Sequence, residues 1–405
     1  MTTLPVDTLA SRPRRAPGRF RWAISRLGRH WSFGRLTFVL PDGGTVNLGA
    51  DDLHPQGLIR VRSYRFMGRV IASGDIGFAE GYVAGEWDTP DLTALLTVLA
   101  LNFDRISALI RGAPMVRAVE WMRHALRRNT RRGSRRNIEA HYDLGEAFYK
   151  AWLDPSMTYS AALYNDGRET LAQAQANKYR ALARAMDLRP GHSVLEIGCG
   201  WGGFAEFAAR EGARVTAVTI SPNQHDYACR RLVEAGLTDR AEVRLVDYRD
   251  VTGVYDRVAS IEMFEAVGEA YWPAYFGKVR ESLAPGGRAG LQIITIRDDL
   301  YEAYRSQADF IQKYIFPGGA LPGERSLGNA TGEAGLDITE LRRFGDDYAR
   351  TLAAWTHRFE AAWAQVSQLG FDERFRRLWR FYLAYCQAGF STGRTNVVQC
   401  VLAPA

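Results

Sequence analysis

Cysteine is scarce in this chain. Cys199, Cys229, Cys386 and Cys400 are the four in 405 residues, and no two of them form a Cys-x-x-Cys pair. That excludes a thiolate metal centre and a disulfide framework, and the seven histidines show no metal-like grouping with them. No metal site is expected, and the thiols read as reduced, which places the protein in the cytoplasm. Also missing is any apolar run of the roughly 18 residues that a spanning helix needs, and the arginine-rich beginning lacks the apolar segment of a secretory signal. The expectation is a protein that is soluble or peripheral to a membrane. Acid is nearly absent from two stretches. Residues 1–35 carry Arg12, Arg14, Arg15, Arg19, Arg21, Arg26, Arg29 and Arg35, while residues 111–136 carry Arg111, Arg117, Arg123, Arg127, Arg128, Arg131, Arg132, Arg135 and Arg136 against Glu120 alone.

What is present bounds the answer further. A hydrophobic fraction of 46% supports a sizeable core and excludes wholesale disorder, although the first residues read as disordered. The length exceeds one ordinary core and implies about two domains. A net charge of +7 favours anionic partners, either nucleic acid or the head groups of an anionic membrane.

The most informative stretch is Val194-Leu195-Glu196-Ile197-Gly198-Cys199-Gly200-Trp201-Gly202-Gly203, followed by Phe204 to Arg210 at helical spacing. It reads as a buried strand, a tight turn and a helix, with glycines that let backbone approach a ligand. Hydride-transfer enzymes, flavoproteins and methyltransferases share such a turn. Glu196 arbitrates, because a carboxylate there would repel a pyrophosphate but attract the sulfonium and ammonium groups of S-adenosylmethionine. The next strand, Arg214 to Ile220, also ends without the acid that a dinucleotide site needs. The bland alternative is a strand-turn-helix corner in which Glu196 caps the helix.

Around this turn the organisation is legible. Leu36 to Leu40 and Thr45 to Leu48 flank Pro41-Asp42-Gly43-Gly44, which predicts a hairpin. Leu92 to Ile110 predicts an apolar helix, so that 1–112 forms a small α+β domain, lipid- or membrane-associated, and 113–138 a basic linker helix. From 139 to 405 strands and helices alternate: a helix over Asn223 to Ala235, then strands at Glu242 to Val246, Arg257 to Glu262 and Ala289 to Thr295. A last strand, Asn396 to Leu402, is expected beside Leu336 to Arg342. Alternation of this kind predicts an α/β doubly wound sheet with ligands at the carboxyl ends of its strands.

Eight motifs then carry a specific resemblance. His141-Tyr142-Asp143-Leu144, Leu153 to Ser160, Glu196 to Gly203, Thr219 to Gln224, Asp247-Tyr248-Arg249-Asp250, Met263-Phe264-Glu265, Lys313 to Gly319 and Phe344 to Tyr348 stand in the order found in cyclopropane-fatty-acyl-phospholipid synthases. That family includes the mycolic-acid cyclopropane synthases. The resemblance implies a Rossmann-like class I methyltransferase fold with an added lipid-binding helical region. It implies S-adenosylmethionine held by Tyr159, Ser160, Glu196, Gly198, Gly200, Gly202, Thr219, Ile220, Gln224, Asp247 and Tyr248. It implies methyl transfer to the cis double bond of an unsaturated acyl chain of an anionic membrane phospholipid, through a carbocation, by a homodimer docked on the inner membrane face.

Aromatic faces can steady that cation. Tyr304, Tyr314, Phe316 and Tyr348 are the candidates, the alternative being that some merely line the acyl channel, and Tyr142 joins the substrate-facing set. For proton removal the family holds a bicarbonate ion, and the matching positions are Ala161, Glu265, Gln292, Ile294 and Tyr348. Here the family cysteine is Ala161, its histidine is Gln292, and the histidine after Glu265 is Ala266. Two outcomes stay open. Bicarbonate still binds and a cyclopropane forms, or the anion site is altered and the chain emerges methyl-branched or methylene-bearing. Glu265 and Tyr348 are the expected catalytic pair, with Gln292 and the Ile294 backbone beside them.

Arginines interleaved with Met115, Val116, Trp121, Met122 and Leu126 have the composition of an interfacial helix, or of a solvated interdomain one. A nucleic-acid methyltransferase would use the arginines on phosphates, but the chain has no Asn-Pro-Pro-Tyr or Asp-Pro-Pro-Tyr signature, so no nucleic-acid partner is expected. A non-catalytic lipid carrier is disfavoured by Glu265 and Tyr348.

Overall fold

The computed structural model describes residues 17–110, 144–306 and 308–405. The stretch 113–138 and Tyr142 lie outside the described residues. The chain divides into two compact units, Met1–Ala113 and Pro114–Ala405.

The smaller unit follows the order α1 (Gly18–Gly28), β1 (Arg35–Val39), β2 (Thr45–Leu48), β3 (Gln56–Val61), α2 (Arg65–Val83), β4 (Trp87–Asp88) and α3 (Leu92–Ile110). The expected hairpin is there: β1 and β2 pair antiparallel from Leu36 opposite Leu48 to Val39 opposite Thr45. β3 then lies parallel to β1, giving a sheet ordered β2-β1-β3-β4. Alternation in β1 buries Leu36 and Phe38, and α1 packs on this face by setting Phe20 edge-on to Phe38 at 5.7 Å. The same helix leaves Trp22 63% exposed, with the Arg26 guanidinium 5.4 Å over its ring. α2 is interrupted at Gly74, whose φ of 62° no helix tolerates.

Among the described residues the larger unit holds a seven-stranded sheet ordered β10-β11-β9-β8-β5-β6-β7. Its elements are α4 (Glu146–Trp152), α5 (Leu171–Ala185), β5 (Ser193–Ile197), α6 (Gly203–Arg210), β6 (Arg214–Thr219), α7 (Pro222–Glu234), β7 (Ala241–Leu245), β8 (Tyr255–Ile261), α8 (Trp272–Glu281), β9 (Leu283–Ile296), α9 (Asp298–Arg305), α10 (Phe310–Tyr314), α11 (Glu324–Glu333), β10 (Leu336–Arg343), α12 (Gly345–Ala361), α13 (Trp363–Gln368), α14 (Glu373–Ser391) and β11 (Thr395–Pro404). The strands β9, β8, β5, β6 and β7 run parallel. β11 enters antiparallel beside β9, and β10 pairs with β11 as its apolar pattern predicted.

Helices cover both faces, because each central strand is apolar on both sides. On one side Leu182, Phe204, Ala205, Ala208 and Leu232 pack against Val194, Val215 and Ala217. On the other, Tyr275, Phe276, Val279 and Leu327 pack against Leu195, Val258, Leu291 and Val398. The chain leaves β5 toward β6 on one side and returns to β8 on the other. This reversal opens a crevice at the carboxyl ends of β5 and β8, where ligands of such sheets sit.

Candidate active site

β5 delivers Glu196 one residue before the glycine turn. The side chain is 2% exposed, and burial pushes its carboxyl up to about 8, opposed by the Arg231 cation, the Ala205 backbone N–H and Lys178. Glu196 Oε2 nevertheless has no hydrogen-bond partner, a buried oxygen left for something cationic. Gly198, Gly200 and Gly202 all take positive φ, at 80°, 52° and 79°. At Gly200 a Cβ would meet open space, so the turn presents bare backbone, whereas at Gly198 it would come 2.4 Å from Met263 Cγ. The Gly198 and Cys199 amides both donate to the Val218 carbonyl at 3.0 Å, which folds the turn over the end of β6.

At that end Thr219 Oγ1 donates to Gln224 Oε1 at 3.0 Å, and the Ser221 side chain caps α7 by accepting from the Gln224 amide. Ile220 between them is half-buried. Beyond β7, Asp247 accepts from Arg249 Nε at 2.8 Å and from its Nη2 at 2.6 Å. Its Oδ1 also accepts from the Arg249 amide at 3.0 Å, so the carboxylate is fixed at the end of the strand by its own neighbour. Tyr248 is half-buried, edge-on to Tyr275 at 5.5 Å, and burial raises its hydroxyl to about 12. An unpaired buried carboxylate oxygen, a bare glycine turn and a half-exposed ring form a set that suits S-adenosylmethionine: cationic at one end, aromatic and hydrogen-bonding at the other.

Beside this cradle the structure builds something the sequence reading did not include. Glu262 follows the last residue of β8, and its carboxylate is enclosed by donors from three separate elements. Oε1 accepts from the Ala161 amide at 2.8 Å and from Gln292 Nε2 at 2.8 Å. Oε2 accepts from the Tyr348 hydroxyl at 2.7 Å. Burial raises the Glu262 carboxyl, while those donors and the Lys178 cation pull it back. The backbone of Glu262 sits at φ 51°, a conformation that costs a non-glycine residue about 1–3 kcal/mol and persists only where the surroundings hold it.

The five positions matched to an anion site therefore divide. Ala161, Gln292 and Tyr348 surround Glu262, while Glu265 stands apart with the Ile294 amide, which donates to its Oε1 at 2.5 Å. Glu265 and Tyr348, the expected catalytic pair, are not hydrogen-bonded to each other: the Tyr348 hydroxyl donates to Glu262. Glu265 Oε2 has no partner, and burial together with the neighbouring Glu262 charge pushes its carboxyl up to about 8. A usable signal for Glu262 existed, since it is an acid at the ligand end of a strand whose preceding residues, Val258 to Ile261, carry no charge.

Aromatic side chains wall the centre. Tyr348 stacks on Phe390 at 4.4 Å and meets Trp355 edge-on at 6.1 Å. Tyr159, between Trp152, Trp355 and Tyr149, shares a hydrogen bond with the Tyr382 hydroxyl at 2.7 Å. Ser160 is buried and accepts from Lys178 Nζ at 2.6 Å. Among the substrate candidates, Phe316 lies edge-on to Tyr382 at 6.3 Å. The Tyr304 hydroxyl accepts from Gln312 Nε2 and the Leu321 amide, both at 3.2 Å, and so holds a loop. Tyr314 is 39% exposed, with Lys313 over its ring. Trp355, Tyr382 and Phe390 were missed because helical aromatics at core spacing look like ordinary packing. Among the described residues no group of His, Cys, Asp and Glu could hold a metal ion.

Residues 129–400 match the family model described as mycolic acid cyclopropane synthetase. The chain belongs to that family. It is 39% identical over 382 residues to a tuberculostearic acid methyltransferase of Mycobacterium tuberculosis, covering 91% of this chain and 87% of the relative. Over 355 residues it is 33% identical to the cyclopropane-fatty-acyl-phospholipid synthase of Escherichia coli, covering 85% and 87%. A solved cyclopropane synthase of Mycobacterium tuberculosis superposes with a TM-score of 0.63 at 28% identity, covering 66% of this chain and 98% of that one. A mycolic acid cyclopropane synthase solved with SAH and CTAB gives 0.62 at 28%, covering 66% and 97%. This cyclopropane synthetase family member thus has the Rossmann-like class I methyltransferase fold, and it is an S-adenosylmethionine-dependent methyltransferase of lipid acyl chains.

Proposed function

We propose that this enzyme methylates the cis double bond of a phospholipid acyl chain and discharges the resulting cation as an exocyclic methylene, with Glu262 as the proton acceptor. The single observation that carries this reading is the Glu262 carboxylate lying among Ala161 N, Gln292 Nε2 and the Tyr348 hydroxyl. Those positions match the donors that the resemblance gives to bicarbonate. A tethered carboxylate fills the place of the free ion, and like charge disfavours a second anion beside it. A relative at 39% identity whose name is tuberculostearic acid methyltransferase supports the same direction.

The chemistry balances without a further reagent. The alkene π pair attacks the sulfonium methyl, S-adenosylhomocysteine leaves, and one former alkene carbon becomes cationic. A hydride from the methylated carbon shifts to that centre, so the positive charge moves to the branch carbon. Loss of a proton from the new methyl then forms the C=CH₂ bond. Oε1 of Glu262 already takes two hydrogen bonds and Oε2 one, so Oε2 keeps the lone pair with which to accept that proton. Tyr348, Phe390 and Trp355 supply aromatic faces beside it, which can steady the cation through the shift. A saturated branch would need a hydride from a separate reductant.

The methyl acceptor we assign is an acyl chain of an anionic phospholipid, met at the cytoplasmic membrane face by a homodimer. Exposed Trp22 beside Arg21 and Arg26 on α1 supports surface contact, since cations suit phosphate heads and the indole suits the boundary.

Purified enzyme should be given S-adenosylmethionine and vesicles of monounsaturated phosphatidylglycerol, and the acyl esters analysed by mass spectrometry with ozonolysis. The expected product gains one CH₂, yields a ketone on ozonolysis, and forms at the same rate in bicarbonate-free buffer. Glu262→Gln should cut turnover by about 10²-fold or more. A ring-bearing product, or a rate that requires bicarbonate, would overturn the reading.

A further inference from the structure

Lys178 lies on α5, 0% exposed, inside the larger unit. A lysine so placed gives up all its hydration, and it is retained only where counter-charge and hydrogen bonds hold it. Its Nζ donates to Ser160 Oγ at 2.6 Å and lies 4.4 Å over the ring of Tyr179. One turn earlier on the same helix, Gln175 Nε2 donates to the Ser160 carbonyl at 2.9 Å. Ser160 is thereby pinned at both its side chain and its backbone, and the next residue, Ala161, gives its amide to Glu262.

A second route closes the loop. Gln399 Nε2, on β11, donates to the Lys178 carbonyl and to Gln292 Oε1, each at 3.1 Å. Gln292 in turn donates to Glu262 Oε1. The lysine residue and the carboxylate are thus joined by two hydrogen-bonded routes, one from the ammonium and one from the backbone carbonyl. The charged groups facing Lys178 are Glu262, Asp154 and Glu196. The charged group facing Glu262 is Lys178, with the neutral Tyr348 hydroxyl donating to it and Glu265 as an acidic neighbour.

We propose that Lys178 is a positioning residue for the reaction: its buried ammonium, tied to Glu262 through Ser160–Ala161 and carried on a residue whose backbone carbonyl is fixed by the Gln399–Gln292 route, keeps that carboxylate ionised. The proposal rests on the reading of Glu262 as proton acceptor. An acid that entered the cycle already protonated could not take the proton. Three donors and no acceptor around Glu262 fit the ionised form. Burial pulls Lys178 down and the facing carboxylates, Glu262 first, oppose it, which leaves the amine at about 7.

The test is an infrared titration of the full-length enzyme with S-adenosylhomocysteine bound, following the protonated-carboxyl C=O band that Glu262→Gln removes. Lys178→Met should carry that band upward by about one pH unit or more, and the acid limb of methylene formation should move with it. Lys178→Arg, which keeps the charge, should restore both. A folded Lys178→Met enzyme whose band and acid limb overlie those of the unmodified enzyme overturns the proposal. If Lys178→Met does not fold, the Lys178→Met/Glu262→Gln pair decides, because removing both charges should return a cooperative melt, and continued failure to fold overturns the coupling. Should the enzyme make no methylene product, the infrared titration still reports on the pair, so failure of the proposed function and failure of this inference stay separate.

Discussion

Two glutamates of this site, Glu196 and Glu265, are held near pH 8 by burial, and each makes a pH-dependent prediction at the residue scale. A carboxyl that titrates higher in the folded chain than in the unfolded one stabilises the fold most below its unfolded pKa. That contribution is lost as pH rises through the folded value. The ligand-free enzyme should therefore lose thermal stability between about pH 5 and pH 8, and Glu265→Gln should flatten part of that slope in melts across buffers. A slope that Glu265→Gln leaves unaltered would remove the assignment. Glu196 answers to the cofactor instead. Its unpartnered oxygen should ionise when a cationic ligand arrives, so binding of S-adenosylmethionine near pH 7 should release a proton. Calorimetry in buffers of different ionisation heat should show this release, and Glu196→Gln should abolish it.

At the scale of elements, the site is made where strands stop. β5 ends in a turn that needs positive φ at Gly198, and Met263 occupies the space in which a Cβ would lie, 2.4 Å from its Cγ. Gly198→Ala should cost about 1–3 kcal/mol from backbone strain alone. The displaced Met263 would also press on Glu262, its neighbour in sequence. Loss of cofactor affinity in equilibrium binding should accompany the lower melting temperature; a stable variant with full affinity would show that the turn is less constrained than its dihedrals indicate. The helices α12 and α14 supply Tyr348, Trp355, Tyr382 and Phe390 to one wall, so aromatic packing and chemistry share the same residues. That sharing explains why part of the wall reads as core in the sequence.

The whole molecule is two units, and only the larger contains the carboxyl-end crevice. The smaller unit exposes Trp22 with Arg26 over it and Phe33 with Arg105 over it, pairs that join a cation to a ring. No helix among the described residues is long and apolar enough to cross a membrane. In the proposed surface contact each cation near an anionic surface would contribute roughly 1 kcal/mol. Trp22→Ala with Arg26→Ala in the full chain should weaken sedimentation with phosphatidylglycerol vesicles about tenfold at low salt. Turnover on detergent-dispersed lipid should hardly change. Equal binding by the variant would move the contact elsewhere.

Several parts of this molecule were open to reading because they are written locally. The hairpin around Pro41 to Gly44, the glycine turn after β5 and the alternation that makes a doubly wound sheet each depend on residues a few positions apart, whose backbone preferences and burial periods are visible in order. The grouping of Ala161, Gln292 and Tyr348 was legible too, through resemblance. That a glutamate of the chain stands among them was not. The partners of Glu262 stand 30, 86 and 101 residues from it in the chain, and no local pattern ties them together. Sequence alone determined the fold class, the cofactor turn and the family. Tertiary structure decided which carboxylate the donors enclose, because hydrogen bonds select among acids by distance in space, and that distance exists only once β8, β9 and α12 have packed.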